Sequence, residues 1–287
     1  MSVTAIVVNY NAGAHLGACV QSLLDEGVRT VRVVDNASDD GSFERLRGRF
    51  GRSPAVQALA NPVNRGFGPA VNDQLPAVTS EYLLIVNPDC RLEVGALAAL
   101  SGALGADPRA GLAGPAVVDA RGRPEPAACR YFPTPRRSFM SATGLSRLAG
   151  VFPALAGVAR PGTGRLDRVT AVEATSGACM LLRTQAFREL GGFDEAYRLH
   201  CEDLDLMYRL RDAGWRILYV PLARAVHAGG VSSASRPLWV HRQKHAGLVR
   251  FFRENLAPQA GLTARVLYPL GVWLHWAVLW PVRWLRR

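Results

Sequence analysis

The sequence predicts an α/β protein with a mostly parallel central sheet flanked by helices, followed by a C-terminal helical extension. Apolar, β-branched runs at residues 3–8, 31–34 and 82–86 alternate with helix-like stretches at about 14–26, 42–49 and 68–78. The runs are continuous rather than alternating, the pattern of strands covered on both faces. Polar loops rich in Asn, Asp and Gly follow these strands at 9–13, 35–41 and 87–89. In open α/β sheets ligands bind beyond the carboxyl ends of the strands, where all three loops converge.

Further along the chain, residues 120–168 are rich in Pro, Arg and Gly and read as an extended loop region with a short helix. Order returns at 172–183, followed by a helix at 184–190. A carboxylate cluster opens another helix at about 202–213, then come a strand at 216–220 and a loop holding His227. No internal repeat is present. The pattern divides into a first unit at 1–233 and a helical extension at 234–287. The first unit itself divides into halves at 1–118 and 119–233.

With 49% hydrophobic and 20% charged residues the chain is globular rather than disordered. Its net charge of +11 favours phosphates, acidic sugars, nucleic acid or an anionic membrane surface. Nucleic acid is set aside, since no recognition-helix or RNA-binding aromatic motif accompanies the charge. Five scattered cysteines with no C-x-x-C spacing speak against a disulfide framework or structural zinc and fit a reducing compartment. The N-terminal residues carry no basic n-region or long apolar stretch and do not resemble a secretory signal.

The C-terminal segment changes character. Residues 268–284 contain Trp273, Trp276, Trp280 and Trp284, flanked by Arg265, Arg283, Arg286 and Arg287. Pro269, His275 and Pro281 interrupt a run shorter than the roughly 20 apolar residues a spanning helix needs. Trp beside Arg is the composition of a membrane interface. The other readings are a helix packed on the protein itself, or on a second subunit in a homodimer.

Four segments carry chemistry. Asp35 ends a strand, where its carboxylate can accept from a base imide or ribose hydroxyl; Asp40-Gly41 permits a tight turn, and Ser38 or Asp39 can cap the next helix. Neither a G-x-G-x-x-G nor a P-loop motif occurs. Asn64-Arg65-Gly66-Phe67-Gly68 opens a helix, and Arg65 offers a planar fork of donors to a base carbonyl or phosphate. Asn87-Pro88-Asp89 delivers a carboxylate to the ligand edge, where a hard divalent cation needs oxygen ligands; His227 is its candidate partner. Finally, Glu202, Asp203 and Asp205 open a helix, either complementing its dipole or supplying a general base. Leu204, Met207 and Tyr208 share a buried face that orients Asp203.

In this order the segments resemble family 2 glycosyltransferases of the GT-A fold, closest to bacterial rhamnosyltransferases acting on polyprenyl-diphosphate-linked sugars. The likeness is carried by Val8-Asn9-Tyr10-Asn11, residues 35–42, Asn64-Arg65-Gly66-Phe67-Gly68 and Asn87-Pro88-Asp89. It continues through Ser176-Gly177-Ala178-Cys179-Met180, Gly191-Gly192-Phe193-Asp194 and Glu202-Asp203-Leu204-Asp205, covering about residues 3–233. The resemblance implies that Asn9, Asp35, Arg65 and Asn87 hold the nucleotide sugar, and that Asp89 and His227 bind Mg2+ or Mn2+. It makes Asp203 the catalytic base, with Glu202 beside it. Asn87 stands where the family's D-x-D-like motif carries its first acid, which weakens the metal site, and His200-Cys201 replace commoner aromatic residues. The implied reaction is an inverting transfer, dTDP-rhamnose being the favoured donor and a polyprenyl-diphosphate-linked sugar the acceptor. The implied place is cytoplasmic, on the inner face of the cell membrane. The contrasting reading is a non-catalytic nucleotide-sugar binding module.

Overall fold

The computed structural model describes residues 2–229 and 236–284. In chain order the first half comprises β1 (Val3–Asn9), α1 (His15–Asp25), β2 (Thr30–Asp35), α2 (Ser42–Phe50), β3 (Val56–Ala60) and α3 (Phe67–Asn72). It continues with β4 (Tyr82–Val86), β5 (Cys90–Leu92), α4 (Ala96–Ala106) and β6 (Ala110–Val118). The second half holds β7 (Cys129–Arg130), α5 (Pro135–Ala142), β8 (Thr170–Val172), β9 (Ala174–Thr175), β10 (Cys179–Arg183) and α6 (Thr184–Glu189). Then follow α7 (Glu202–Asp212), β11 (Arg216–His227), α8 (Pro237–Phe251) and α9 (Leu262–Trp284).

The main sheet runs β3-β2-β1-β4-β10-β6-β11-β5, with β8 also paired to β11. Strands β3, β2, β1 and β4 are mutually parallel, as are β6 and β11; β10 lies antiparallel between the two groups. A second, two-stranded sheet pairs β7 with β9. Side chains of β1 alternate between two cores. Ala5 and Val7 join α1, α2 and α4 on one face, while Ile6 and Val8 join α3, α6 and α7 on the other. Both faces being covered is why β1 and β4 read as unbroken apolar runs. Each fully buried Leu, Ile or Phe here contributes about 1.5–3 kcal/mol of transfer free energy.

Four expectations need correction. The third helix stops at Asn72 rather than near 78, giving way to a 3-10 turn at Leu75–Ala77, because Pro76 has no N–H to continue the α-helical ladder to the Asn72 carbonyl. Residues 172–183 form three short strands rather than one ordered segment. His227 ends a strand instead of sitting in a loop: a register shift between Val220 and Arg224 absorbs Pro221, and β11 continues to His227. The C-terminal apolar run, read as shorter than a spanning helix needs, lies in α9, a helix of 23 residues that continues through Pro269 and Pro281.

Its segment Leu262–Pro281 has mean hydropathy 1.2 and is long and apolar enough to cross a membrane by length and composition alone. One face of α9 packs on α8 through Tyr268, Val272 and the His245–His275 contact at 3.0 Å. The opposite face exposes Leu267, Leu270, Leu274 and Val278, spaced as a single helical stripe. Gly230, Arg286, Arg287 and the side chains of Arg283 and Trp284 lie outside the described residues.

Candidate active site

The nucleotide-side loops are stitched together by their own polar groups. Asn9 is fully buried, and its Nδ2 meets Asp35 Oδ1 at 2.7 Å, Ser38 Oγ at 3.0 Å and Ser42 Oγ at 2.9 Å. Its amide is thus engaged within the protein and positions Asp35. Asp35, 4% exposed, also accepts from Ser38 Oγ at 2.6 Å and Ser38 N at 3.0 Å, which leaves lone-pair capacity on Oδ2. Asp40, rather than Ser38 or Asp39, meets the first N–H of α2, accepting from Ser42 N at 2.9 Å. Asn36 donates to Gly66 O at 2.9 Å and accepts from Asn61 at 2.8 Å, joining the Asp35 loop to the Arg65 loop. Arg65 itself is half-exposed and ion-paired with Asp73. Asp73 carries no motif and was not singled out from sequence.

At the end of β4, Asn87 is half-buried, its N donates to Ala178 O at 2.9 Å, and its carbonyl accepts from Cys90 N at 3.0 Å. Antiparallel pairing sets His227 opposite Cys90 and thereby beside Asp89. His227 Nε2 lies 3.2 Å from Asp89 Oδ1, and its Nδ1 lies 2.8 Å from Glu125 Oε1. Burial opposes a charge on this ring, but the hydrogen bonds and charges of Asp89 and Glu125 outweigh it and push its pKa up to about 9. Glu125, from the least patterned stretch of the chain, gives no local signal in the sequence.

Among the described residues no three His, Cys, Asp or Glu side chains converge into a self-contained metal centre. The Asp89–His227 pair nevertheless suits a divalent cation that shares its ligands with substrate. Adjacent ligands of an octahedral ion at about 2.1 Å stand about 3.0 Å apart, close to the 3.2 Å found here. Glu125 would then be the outer carboxylate that orients the imidazole.

The third part of the site is the turn into α7. His200 and Cys201, at φ 66° and 71°, are two successive non-glycine residues in the left-handed region, a conformation sustained only by surrounding contacts. Gly247 of α8 supplies one: a Cβ there would come within 2.6 Å of His200 O. The three carboxylates that follow part company. Asp205 is buried and accepts from Arg209 Nε at 2.7 Å and Asn255 Nδ2 at 2.9 Å, tying α7 to the end of α8. Glu202 Oε2 is buried with no hydrogen-bond partner among the described residues; burial first, and the charge of Asp203 second, raise its carboxyl above the usual carboxylate range. Asp203, 18% exposed, accepts from Leu204 N at 2.9 Å and pairs with Arg130.

Residues 175–178 are the spine that joins these parts. Thr175 O accepts from Arg130 Nη2 at 2.8 Å, Ala178 O accepts from Asn87 N at 2.9 Å, and Gly177 between them admits Asp203. A Cβ on Gly177 would lie 2.6 Å from Asp203 Oδ2. One short loop therefore holds the Asp203 carboxylate and the Asp89 edge in a common frame. Arg130 was missed from sequence because it lies 73 positions from its partner, in the Arg-rich middle region.

The sheet carries a carboxylate–histidine pair at its ligand edge and an acid at the start of α7, on the scaffold of the GT-A fold. A family profile described as "Glycosyltransferase like family 2" matches residues 2–249, and the chain belongs to that family. It is 33% identical over 251 residues to the N-acetylglucosaminyl-diphospho-decaprenol L-rhamnosyltransferase of Mycobacterium tuberculosis, covering 81% of this chain and 78% of that one. The mannosyltransferase PcManGT of Pyrobaculum calidifontis, solved with GDP-Man and Mn2+, superimposes with a TM-score of 0.62 at 19% identity, covering 96% of this chain and 74% of that one. GalNAc-T7, solved with UDP, GalNAc and Mn2+, gives a TM-score of 0.60 at 16% identity over 79% of this chain, which spans only 44% of that longer protein. At these identities the two structures speak for the fold.

Proposed function

We propose that the chain is an inverting, metal-dependent glycosyltransferase that moves L-rhamnose from dTDP-rhamnose to a hydroxyl of a polyprenyl-diphosphate-linked sugar during cell-envelope glycan synthesis. The observation that carries this reading is the shared frame of residues 175–178, on which Asp203 and the Asp89–His227 edge are both hung. Asp35 accepts from the nucleotide base or ribose, and Arg65 exchanges Asp73 for donor oxygens. Asn9 and Asn87 hold these loops in register. Asp89 and His227 would hold Mg2+ or Mn2+, which would supply positive charge against the departing nucleoside diphosphate. Asp203 takes the proton of the acceptor hydroxyl as it attacks the anomeric carbon from the face opposite the leaving group. Such a base contributes about 10²–10⁴-fold. Glu202, held toward its neutral form, avoids setting a second negative charge beside it.

The domain division at 118/119 and 233/234 follows the same logic, with donor groups before the first boundary and the base after it. The exposed stripe of α9 and the net charge of +11 support attachment to an anionic membrane at its inner face, where such an acceptor is presented. The test is release of nucleoside diphosphate from thymidine, uridine and guanosine sugars with Mg2+ or Mn2+. Release from thymidine sugars that is lost on chelation and in Asp89→Ala supports the assignment. Donor binding without release, with acceptor supplied, returns a non-catalytic binding module.

A further inference from the structure

The turn around Asp203 carries more positive charge than the transfer reaction described above accounts for. Neighbouring arginines are matched: Arg137 meets both oxygens of Glu173 at 2.7 and 3.0 Å, Arg250 meets Asp194 at 2.7 Å, and Arg209 meets Asp205 at 2.7 Å. Arg130 differs. Its Nε and Nη2 are directed to Thr175 O, Nη2 also reaches Asp203, and its Nη1 has no hydrogen bond to the described residues.

Lys244 is the second cation. It is the single lysine among 34 basic residues. It is exposed on α8 and makes no ion pair with the described residues. It stands three positions before Gly247, on the helix face that packs against His200 and Cys201. The charges of Lys244, Arg130 and Asp203 all bear on the His200 ring, whose pKa is lowered first by burial and then by Lys244. Two cations thus bear on the turn that carries Asp203, and among the described residues neither the Arg130 Nη1 nor the Lys244 ammonium has a partner.

We propose that Arg130 and Lys244 form a subsite for a substrate diphosphate beside Asp203. A diphosphate matches both partners, the planar guanidinium meeting two oxygens and the ammonium acting as a point charge. The proposal rests on the glycosyltransferase reading for the identity of the base. Two sources share this chemistry: the diphosphate of a prenyl-linked acceptor and that of the nucleotide donor. The acceptor side is favoured, because Arg130 pairs with Asp203 and Lys244 lies on the helix packed against the turn before it, while the donor edge has its own partners in Asp89 and His227. Arg130 is then a binding residue that turns from Asp203 to the phosphate when acceptor arrives, freeing one oxygen of the base.

Having one lysine makes the test site-specific. Pyridoxal 5′-phosphate forms an imine with an amine at a phosphate site, and borohydride fixes it; peptide mapping then separates Lys244 from the N-terminal amine. Inorganic pyrophosphate is expected to slow Lys244 labelling about tenfold or more in the wild type and far less in Arg130→Gln, the scale of one charge-assisted hydrogen bond. Protection by farnesyl diphosphate without metal places the acceptor there; protection by thymidine diphosphate with Mg2+ and none by farnesyl diphosphate places the donor there. Labelling at an unchanged rate with all three overturns the proposal. In turnover assays Lys244→Gln is expected to raise the KM for a diphosphate-linked acceptor with little change in kcat, while Arg242→Gln, exposed on the same helix, leaves both unchanged. Equal effects of the two substitutions would reduce Lys244 to general surface charge. Labelling needs no turnover, so it stands or falls separately from the transferase activity.

Discussion

Asp203 and Asp205 lie two positions apart on α7, yet their environments assign them opposite duties. Asp203 is partly exposed with one oxygen on Arg130, whereas Asp205 is buried against Arg209 and Asn255. Asp203→Asn keeps shape and, in the proposed mechanism, removes the base, so turnover is expected to fall about 10²–10⁴-fold with donor affinity retained, measured by nucleotide release and calorimetry. Asp205→Ala leaves Arg209 without its carboxylate and is expected to lower unfolding free energy by about 2–3 kcal/mol, read from denaturant midpoints. Gly177→Ala is a sharper probe of the spine. Its methyl would meet Asp203 at 2.6 Å, so turnover should fall while the melting temperature moves far less than in Asp205→Ala. Normal turnover in Gly177→Ala would show that Asp203 tolerates displacement and is not the base.

At the scale of elements, α8 and α9 form a layer joined by histidines. His245 Nδ1 donates to His241 O at 2.8 Å, and its Nε2 accepts from His275 Nδ1 at 3.0 Å. Burial, with the nearby charges of His241, His275 and Lys244, lowers the pKa of His245 to about 4. The unfolded imidazole, near 6.5, therefore binds a proton before the folded one does. The contribution of this contact is complete above about pH 6.5 and is lost as pH falls from there toward 4. Tryptophan fluorescence, reporting Trp273 and Trp276, is expected to shift across that window in the wild type, and to remain flat in His245→Phe. The outer face of α9 makes a separate prediction. Leu270→Glu with Leu274→Glu should abolish sedimentation with anionic vesicles while leaving nucleotide binding intact; unchanged sedimentation would assign the stripe to protein contacts instead.

For the molecule as a whole, residues 175–178 join the ligand edge of the sheet to the turn into α7, and Gly247 packs α8 against that turn. Local physics made much of this legible in the sequence. Apolar runs specified β1 and β4, polar loops marked the strand ends that carry Asn9, Asp35, Asn87 and Asp89, and the acid cluster marked the start of α7. The half-exposed edge strand β3 did not show, because covering one side of a strand leaves a weak apolar signal. The position of His227 also escaped local reading: it follows from the β11–β5 register and from a bulge at Pro221, set by pairing between distant strands. The same holds for Glu125, Arg130, Asp73 and Lys244, whose partners lie far along the chain or across a helix face, and for the division of labour between Asp203 and Asp205. The sequence alone determined the α/β class, the family and the residues at the strand ends, because periodicity, turn chemistry and short motifs are local. Only the tertiary structure decided which charges meet, which are buried and which stay available to a substrate, because Coulomb interaction and desolvation depend on distances that folding alone creates.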